Sequence, residues 1–103
     1  MTVPYRIVFT PEARDQLDAL HAYISAAADT GIASRFVNGI IDHIAILRDF
    51  PKRGTPRDDL RMGLRTLAWR RRVIIAFVVE DADVVVIGIF YSGRDFETLL
   101  KDD

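Results

Sequence analysis

The chain has 103 residues, which is enough for one hydrophobic core but not for two domains, so we expect a single domain over residues 1–103. Half of the residues are hydrophobic and 28% are charged, a globular composition in which no apolar run is long enough to span a membrane. The lack of cysteine excludes disulfides and thiolate metal sites, and the N-terminus lacks a secretion signal, which favours a cytoplasmic protein.

The net charge of −1 conceals a strong segregation of charge along the chain. Residues 48–72 carry nine basic and three acidic groups, whereas residues 73–103 carry two basic and seven acidic groups. This pattern indicates either a basic face for an anionic partner or an acidic C-terminal segment that folds back over the arginines. The sequence leaves both interpretations open.

The N-terminal third predicts a strand followed by a helix. Residues 5–9 alternate Tyr, Ile and Phe on one side, which is typical of a strand. Thr10 can then cap a helix whose first position is Pro11, where the missing N–H costs nothing. Apolar residues recur at spacings of four and three up to Ala27, so we expect a helix of about 18 residues that ends at residues 29–31.

A second amphipathic helix is predicted from Gly31 to Asp49 or Phe50. Its apolar stripe is wider than that of the first helix, and Pro51 ends it because the residue before proline avoids helical backbone angles. Two helices joined by so short a break form an antiparallel hairpin. Neither stripe can be buried by the other helix alone, so the pair should lie on a sheet.

The C-terminal half predicts three strands after an exposed loop. Residues 52–63 are polar, mostly basic and interrupted by glycine and proline. Residues 64–69, 73–80 and 84–91 are rich in Val, Ile, Phe and Tyr, which favour strands. The polar break at residues 81–83 is short enough to form a hairpin.

Three arginines, Arg70, Arg71 and Arg72, lie between the first two of these strands. A short terminal helix is expected over residues 95–100. The predicted order is therefore strand, helix, helix, strand, strand, strand. This order indicates an α+β fold, an antiparallel sheet with the helical hairpin packed on one face and the other face open to solvent or a partner.

Five segments in this order carry a resemblance to a known family. They are YRIVFTPEARDQLDALHAYI, FPKRG, MGLRTL, RRRVIIAFVV and VVVIGIFYSGRDFETLL. Together they resemble the ParE/RelE superfamily of bacterial type II toxins, and its ParE branch most closely. The resemblance implies a RelE/ParE toxin-like fold and a small cytoplasmic toxin that a cognate antitoxin, of the small ribbon-helix-helix type, keeps inactive. ParE-like members are associated with poisoning of DNA gyrase, whereas RelE-like members cleave messenger RNA on the ribosome.

The candidates for partner contact are six arginines and the single tryptophan. They are Arg61, Arg65, Trp69, Arg70, Arg71, Arg72 and Arg94. Guanidinium groups can bind carboxylates of a protein partner or phosphates of a nucleic acid, and they can also be solvated or paired internally with Asp58, Asp59 and the acidic tail. Trp69 is suited either to core packing or to a role as a partner-binding anchor. Direct nucleic-acid binding is left open.

Catalytic chemistry has weaker support in this sequence. Cleavage of RNA without a metal needs a base, an acid and a cation, and the available residues are Arg65, Tyr91 and Arg94. The tail GRDFETLLKDD contains no tyrosine or histidine, unlike that of RelE-like nucleases. We therefore predict a binding toxin without catalytic residues, whose target is DNA gyrase, and the alternative is a RelE-like ribosome-dependent endoribonuclease.

The sequence gives no sign of a metal or cofactor. His21 and His43 are the two histidines, and each flanks the apolar stripe of a helix, where a structural role is typical. Neither is followed by a second ligand three or four residues further along the chain, so no metal site and no cofactor are expected.

Overall fold

A computed structural model describes residues 3–91 of the chain. Within this part it contains two α-helices, a short 3-10 helix and five strands. Their bounds are β1 Arg6–Phe9, α1 Pro11–Ala27, α2 Thr30–Ala45, the 3-10 helix Ile46–Arg48, β2 Thr55–Pro56, β3 Leu64–Trp69, β4 Val73–Glu80 and β5 Asp83–Tyr91. The helix predicted over residues 95–100 lies outside the described residues.

Side-chain caps define where both helices begin. The Thr10 hydroxyl accepts a hydrogen bond from the Ala13 N–H at 3.2 Å, as predicted from the sequence. The Asp29 carboxylate accepts one from the Ile32 N–H at 2.7 Å, so α2 begins at Thr30, one residue earlier than predicted. Satisfied donors at both starts allow the two helices to be joined by only residues 28–29.

The five strands form one sheet in the order β1-β5-β4-β3-β2. The predicted antiparallel pairing is found between β3, β4 and β5, but β1 runs parallel to β5. The helical hairpin is long enough to act as the crossover that parallel neighbours need. The sheet also includes β2, which lies inside the region that we predicted to be an irregular loop. It pairs antiparallel with Thr66 and Arg65 of β3.

The main core lies between the helical hairpin and one face of the sheet, as predicted. The fully buried side chains with the largest volumes come from α2, the 3-10 helix and the three long strands. They are Phe77, Ile40, Ile44, Leu47, Leu64, Ile75, Val73, Val84 and Val86. All of these except Leu64 belong to the cluster under the helices.

The opposite face of the sheet carries a smaller apolar cluster and is therefore not simply open to solvent. Leu64, Ala76 and Phe90 from the strands are buried there together with Leu60, which comes from the segment before β3. Ile74, Val78 and Ile87 are half-buried around them. The segment between β2 and β3 thus covers part of the face that the sequence left uncovered.

A bulge in β5 joins the sheet to α1. Ala76 pairs with Gly88 and Phe77 with Val86, so Ile87 is an extra residue that β4 does not match. A Cβ at Gly88 would lie 2.6 Å from the Phe90 ring, which leaves room only for glycine. Beyond the bulge the Ile89 N–H donates to the Gln16 side chain at 2.7 Å, which satisfies a donor that β1 is too short to reach.

Candidate functional site

The arginines named as candidates for partner contact divide into two groups. Arg61 and Arg65 lie at the start of β3, and Trp69 to Arg72 lie at its other end. Five residue steps of about 3.3 Å place the two ends of β3 about 17 Å apart. Arg94 lies outside the described residues.

The Arg65 side chain holds the loop that precedes β2. Its Nε donates to the carbonyl of Arg53 at 3.2 Å, and its Nη2 donates to the carbonyl of Lys52. Strand alternation places Arg65 on the same side of β3 as Leu67 and Trp69, which pack toward the helices. The guanidinium is therefore engaged within the chain rather than presented on the open face of the sheet.

Two other charges of this loop, Arg57 and Asp59, pair with each other. Arg57 donates to both carboxylate oxygens of Asp59, each at 3.0 Å, and these hydrogen bonds lower the pKa of Asp59. Asp58 accepts from the Gly63 N–H at 2.7 Å, which shapes the turn before β3. The Nε of Arg61 is buried and finds no hydrogen-bond acceptor among the described residues. For Arg57 and Asp59, internal pairing is what the structure shows.

The turn between β3 and β4 has an unusual backbone for its sequence. Arg70 and Arg71 have φ angles of 51° and 57°, and the Arg72 N–H donates to the Trp69 carbonyl at 3.1 Å. Two central residues with positive φ are typical of a type I′ turn, which Asn-Gly normally supplies. Arg72 is an extra residue, because the ladder resumes with the pair Trp69 and Val73.

Trp69 is the last residue of β3 before this turn, and its indole packs beneath Arg70. The indole is 8% exposed and contacts Phe36 edge-on, with ring centroids 4.9 Å apart. A Cβ at Gly39 would lie 2.6 Å from the indole, so α2 offers the ring a site that only glycine leaves open. On the outer side the guanidinium carbon of Arg70 lies 4.6 Å from the indole centroid, a cation–π contact.

The same end of the sheet carries further aromatic side chains. Tyr91, at the end of β5, packs on Phe36 at a centroid distance of 5.8 Å and lies 6.2 Å from Tyr23. Tyr23 is 61% exposed, whereas Phe36 and Tyr91 are half-buried. Most of this aromatic surface is thus used in the protein's own core.

The three turn arginines are exposed and lack a carboxylate partner within residues 3–91. The two ion pairs found in that part of the chain are Arg6–Asp83 and Arg57–Asp59. The first lies near the opposite end of β4, where its hydrogen bonds lower the pKa of Asp83. The long strands therefore have a basic end at the β3–β4 turn and an acidic end at the β4–β5 turn.

Arg65 and Tyr91, two of the residues considered for RNA cleavage, are not brought together. Arg65 pairs with Phe77 and Tyr91 pairs with Val73, so the two are offset by four residues of β4, or about 13 Å. The Tyr91 ring also packs on the helix side of the sheet. No described geometry gives an acid–base pair beside a phosphate site.

The histidines have structural surroundings. His21 on α1 lies 3.1 Å from the Ser34 hydroxyl on α2 and 3.4 Å from that of Ser25, so it bridges the helical hairpin. His43 has a buried Nε2 that lacks a described partner. Within residues 3–91, no three His, Asp or Glu side chains are grouped so that they could hold a metal ion.

The fold agrees with comparisons to known proteins. The family model described as "ParE toxin of type II toxin-antitoxin system, parDE" matches residues 7–96. The chain belongs to the ParE toxin family. The match spans every candidate residue named above, and it confirms the ParE branch of the resemblance seen in the sequence.

A solved structure supports the fold of this ParE toxin. A chain titled "Chromosomal ParDE TA system from P. aeruginosa" superposes with a TM-score of 0.76 and is 21% identical, over 85% of this chain and 96% of that chain. At this identity the likeness establishes the fold alone. A comparison with curated proteins finds no match. No helix in the described part of this ParE toxin is long and apolar enough to cross a bilayer.

Proposed function

We propose that this ParE toxin acts in the cytoplasm by binding DNA gyrase and that a cognate antitoxin neutralises it. The observation that carries the proposal is the β3–β4 turn, where Arg70, Arg71 and Arg72 are exposed and no acid–base pair lies beside them within residues 3–91. Such a site can hold an anionic surface by charge-assisted hydrogen bonds but has no group for proton transfer. Membership of the ParE family supports gyrase as the target.

The antitoxin partner is proposed to be a small ribbon-helix-helix protein with an amphipathic tail. Ile32 and Ile41 on α2 are 42% and 41% exposed, and Tyr23 on α1 is 61% exposed. These side chains leave apolar surface of the helical hairpin exposed. An amphipathic segment of the antitoxin can cover such side chains as a helix in a groove or as an added strand.

The alternative function, a RelE-like endoribonuclease, has less support. Arg65 is engaged with two carbonyls and is offset from Tyr91 along the sheet. Arginine stays protonated at neutral pH, and an unperturbed tyrosine titrates near 10, so neither is suited to act as a general base. A binding mechanism needs neither residue to transfer a proton.

The test measures supercoiling by purified DNA gyrase in the presence of the toxin. We expect the toxin to inhibit supercoiling or to raise the amount of cleaved DNA, and the toxin–antitoxin complex to have no effect. Replacing Arg70 and Arg71 together should weaken the inhibition by at least about 30-fold, because losing a desolvated interface arginine typically costs about 2 kcal/mol. Unchanged gyrase activity at saturating toxin would rule out gyrase as the target.

A further inference from the structure

We propose that the β3–β4 turn binds the phosphate backbone of double-stranded DNA through Arg70, Arg71 and Arg72. The inference rests on the proposed function for its setting, since a gyrase-bound toxin would lie beside DNA. Its physical basis is independent of gyrase and lies in the strain, the preorganisation and the charge of this turn.

The backbone strain of the turn indicates that its arginine side chains have a functional role. A residue other than glycine in the left-handed region costs roughly 1 kcal/mol, and Arg70 and Arg71 both adopt it. Asn-Gly at the same two positions would form this turn without that cost. Backbone strain of this kind is concentrated at functional sites, where a particular side chain is needed in spite of its conformation.

The Arg70 guanidinium is also preorganised. It lies over the Trp69 indole, which itself contacts Phe36 edge-on and the bare backbone of Gly39, both on α2. Stacking holds the guanidinium plane, while its N–H groups lie in that plane and remain able to donate outward. A phosphate oxygen is a suitable acceptor for such a fork, and fixing the fork beforehand lowers the entropy lost on binding.

The surroundings of the turn favour phosphate over a protein surface. A specific protein interface needs an apolar centre that is desolvated on binding, with charges at the rim. Here Trp69, Phe36 and Tyr91 are used in the toxin's own core, and the exposed Tyr23 lies on α1, so within residues 3–91 the turn itself exposes only arginines. Closely spaced positive charges without an apolar centre suit a regular polyanion, whose binding is dominated by charge and counterion release.

The experiment measures binding of the purified toxin to a labelled DNA duplex of about 20 base pairs by fluorescence anisotropy, at several salt concentrations. Three phosphate contacts predict a slope of about −2.7 for log K against log salt, which is a loss of about 40-fold in affinity between about 50 mM and about 200 mM salt. In the double variant Arg70→Asn/Arg71→Gly the slope should fall to about −0.9. This variant has the preferred residues of a type I′ turn, so it is expected to fold.

A matched control removes two exposed arginines elsewhere. Arg35 lies on α2, and Arg53 stacks on Phe50 at 5.3 Å, which reproduces the cation–π contact of Arg70 away from the turn. The variant Arg35→Gln/Arg53→Gln should keep the wild-type slope. An equal loss of slope in both double variants would show that DNA responds to net charge alone, and it would overturn the assignment of the turn.

Two further results separate this inference from the gyrase proposal. If the toxin does not bind the duplex but Arg70→Asn/Arg71→Gly still abolishes gyrase inhibition, the turn contacts protein carboxylates and the DNA contact is wrong. If the toxin binds the duplex with the predicted slope but leaves gyrase unaffected, the DNA contact stands and the proposed target does not.

Discussion

A single small residue determines how Trp69 supports the arginine turn. Gly39 lies on α2 with its bare backbone against the indole. This contact fixes the ring over which the Arg70 guanidinium lies. The sequence predicts Trp69 as either a core residue or an exposed anchor. In the structure Trp69 is buried, with 8% of its surface exposed. Gly39 carries no signal of its own in the sequence, because an isolated glycine in a helical stretch predicts only a small loss of helix propensity.

The substitution Gly39→Ala tests this contact. Alanine is the better helix former by about 1 kcal/mol, but its Cβ would lie 2.6 Å from the indole carbon Cζ2. The indole is buried and also contacts Phe36, which limits its movement, so we expect the clash to dominate with a net destabilisation of about 1–3 kcal/mol in chemical denaturation. Gly31→Ala is the control on the same helix, since its Cβ would lie 3.2 Å from the Asp29 carboxylate, a contact that a shift of a few tenths of an ångström relieves, and a comparable loss there would contradict the explanation.

At the scale of elements, the sequence predicts the parts that have their own local signal. Thr10 and Pro11 mark the start of α1, and the alternation of Val and Ile marks the long strands. Strand β2 could not be predicted, because two residues show no periodicity and their pairing depends on where β3 lies. The role of Arg65 in holding the loop could not be predicted for the same reason. Its acceptors are loop carbonyls 12 and 13 residues away in the chain.

The substitution Arg65→Ala should loosen the loop before β2. It removes two hydrogen bonds to the carbonyls of Lys52 and Arg53, and we expect a loss of stability on the order of 1–3 kcal/mol because the donor is charged. Limited proteolysis within residues 50–63 should become faster. Arg35→Ala, at an exposed position of α2, is the control and should leave both unchanged. An Arg65→Ala chain that lost toxicity at full stability would instead place Arg65 at the target interface.

The β3–β4 turn gives a prediction in which stability and function change in opposite directions. Arg70→Asn/Arg71→Gly should raise the free energy of unfolding by about 1–2 kcal/mol. The reason is that it removes the backbone strain of two arginines with positive φ angles. Toxicity on expression should fall, because two of the three exposed guanidiniums are lost. Thermal denaturation and a growth assay measure the two effects. A variant that is less stable than the wild type would show that the arginines support the turn rather than strain it.

At the scale of the whole molecule, the sequence predicts the layers but not the order of the strands. Amphipathic stripes show that the hairpin lies on a sheet, because apolar surface must be buried somewhere, and the described core confirms it. Which strands become neighbours is set by packing of distant segments, so the parallel pairing of β1 with β5 had no local signal.

The binding mechanism is tested most directly by expressing the toxin in cells. Transcript 5′ ends and gyrase-dependent DNA breaks are then mapped in the same cells. A toxin that binds gyrase without cleaving RNA predicts DNA breaks, no new codon-positioned transcript ends, and loss of the breaks in Arg70→Asn/Arg71→Gly. Transcript ends at codon positions that disappear in Arg94→Ala, without DNA breaks, would contradict the binding mechanism and establish the nuclease.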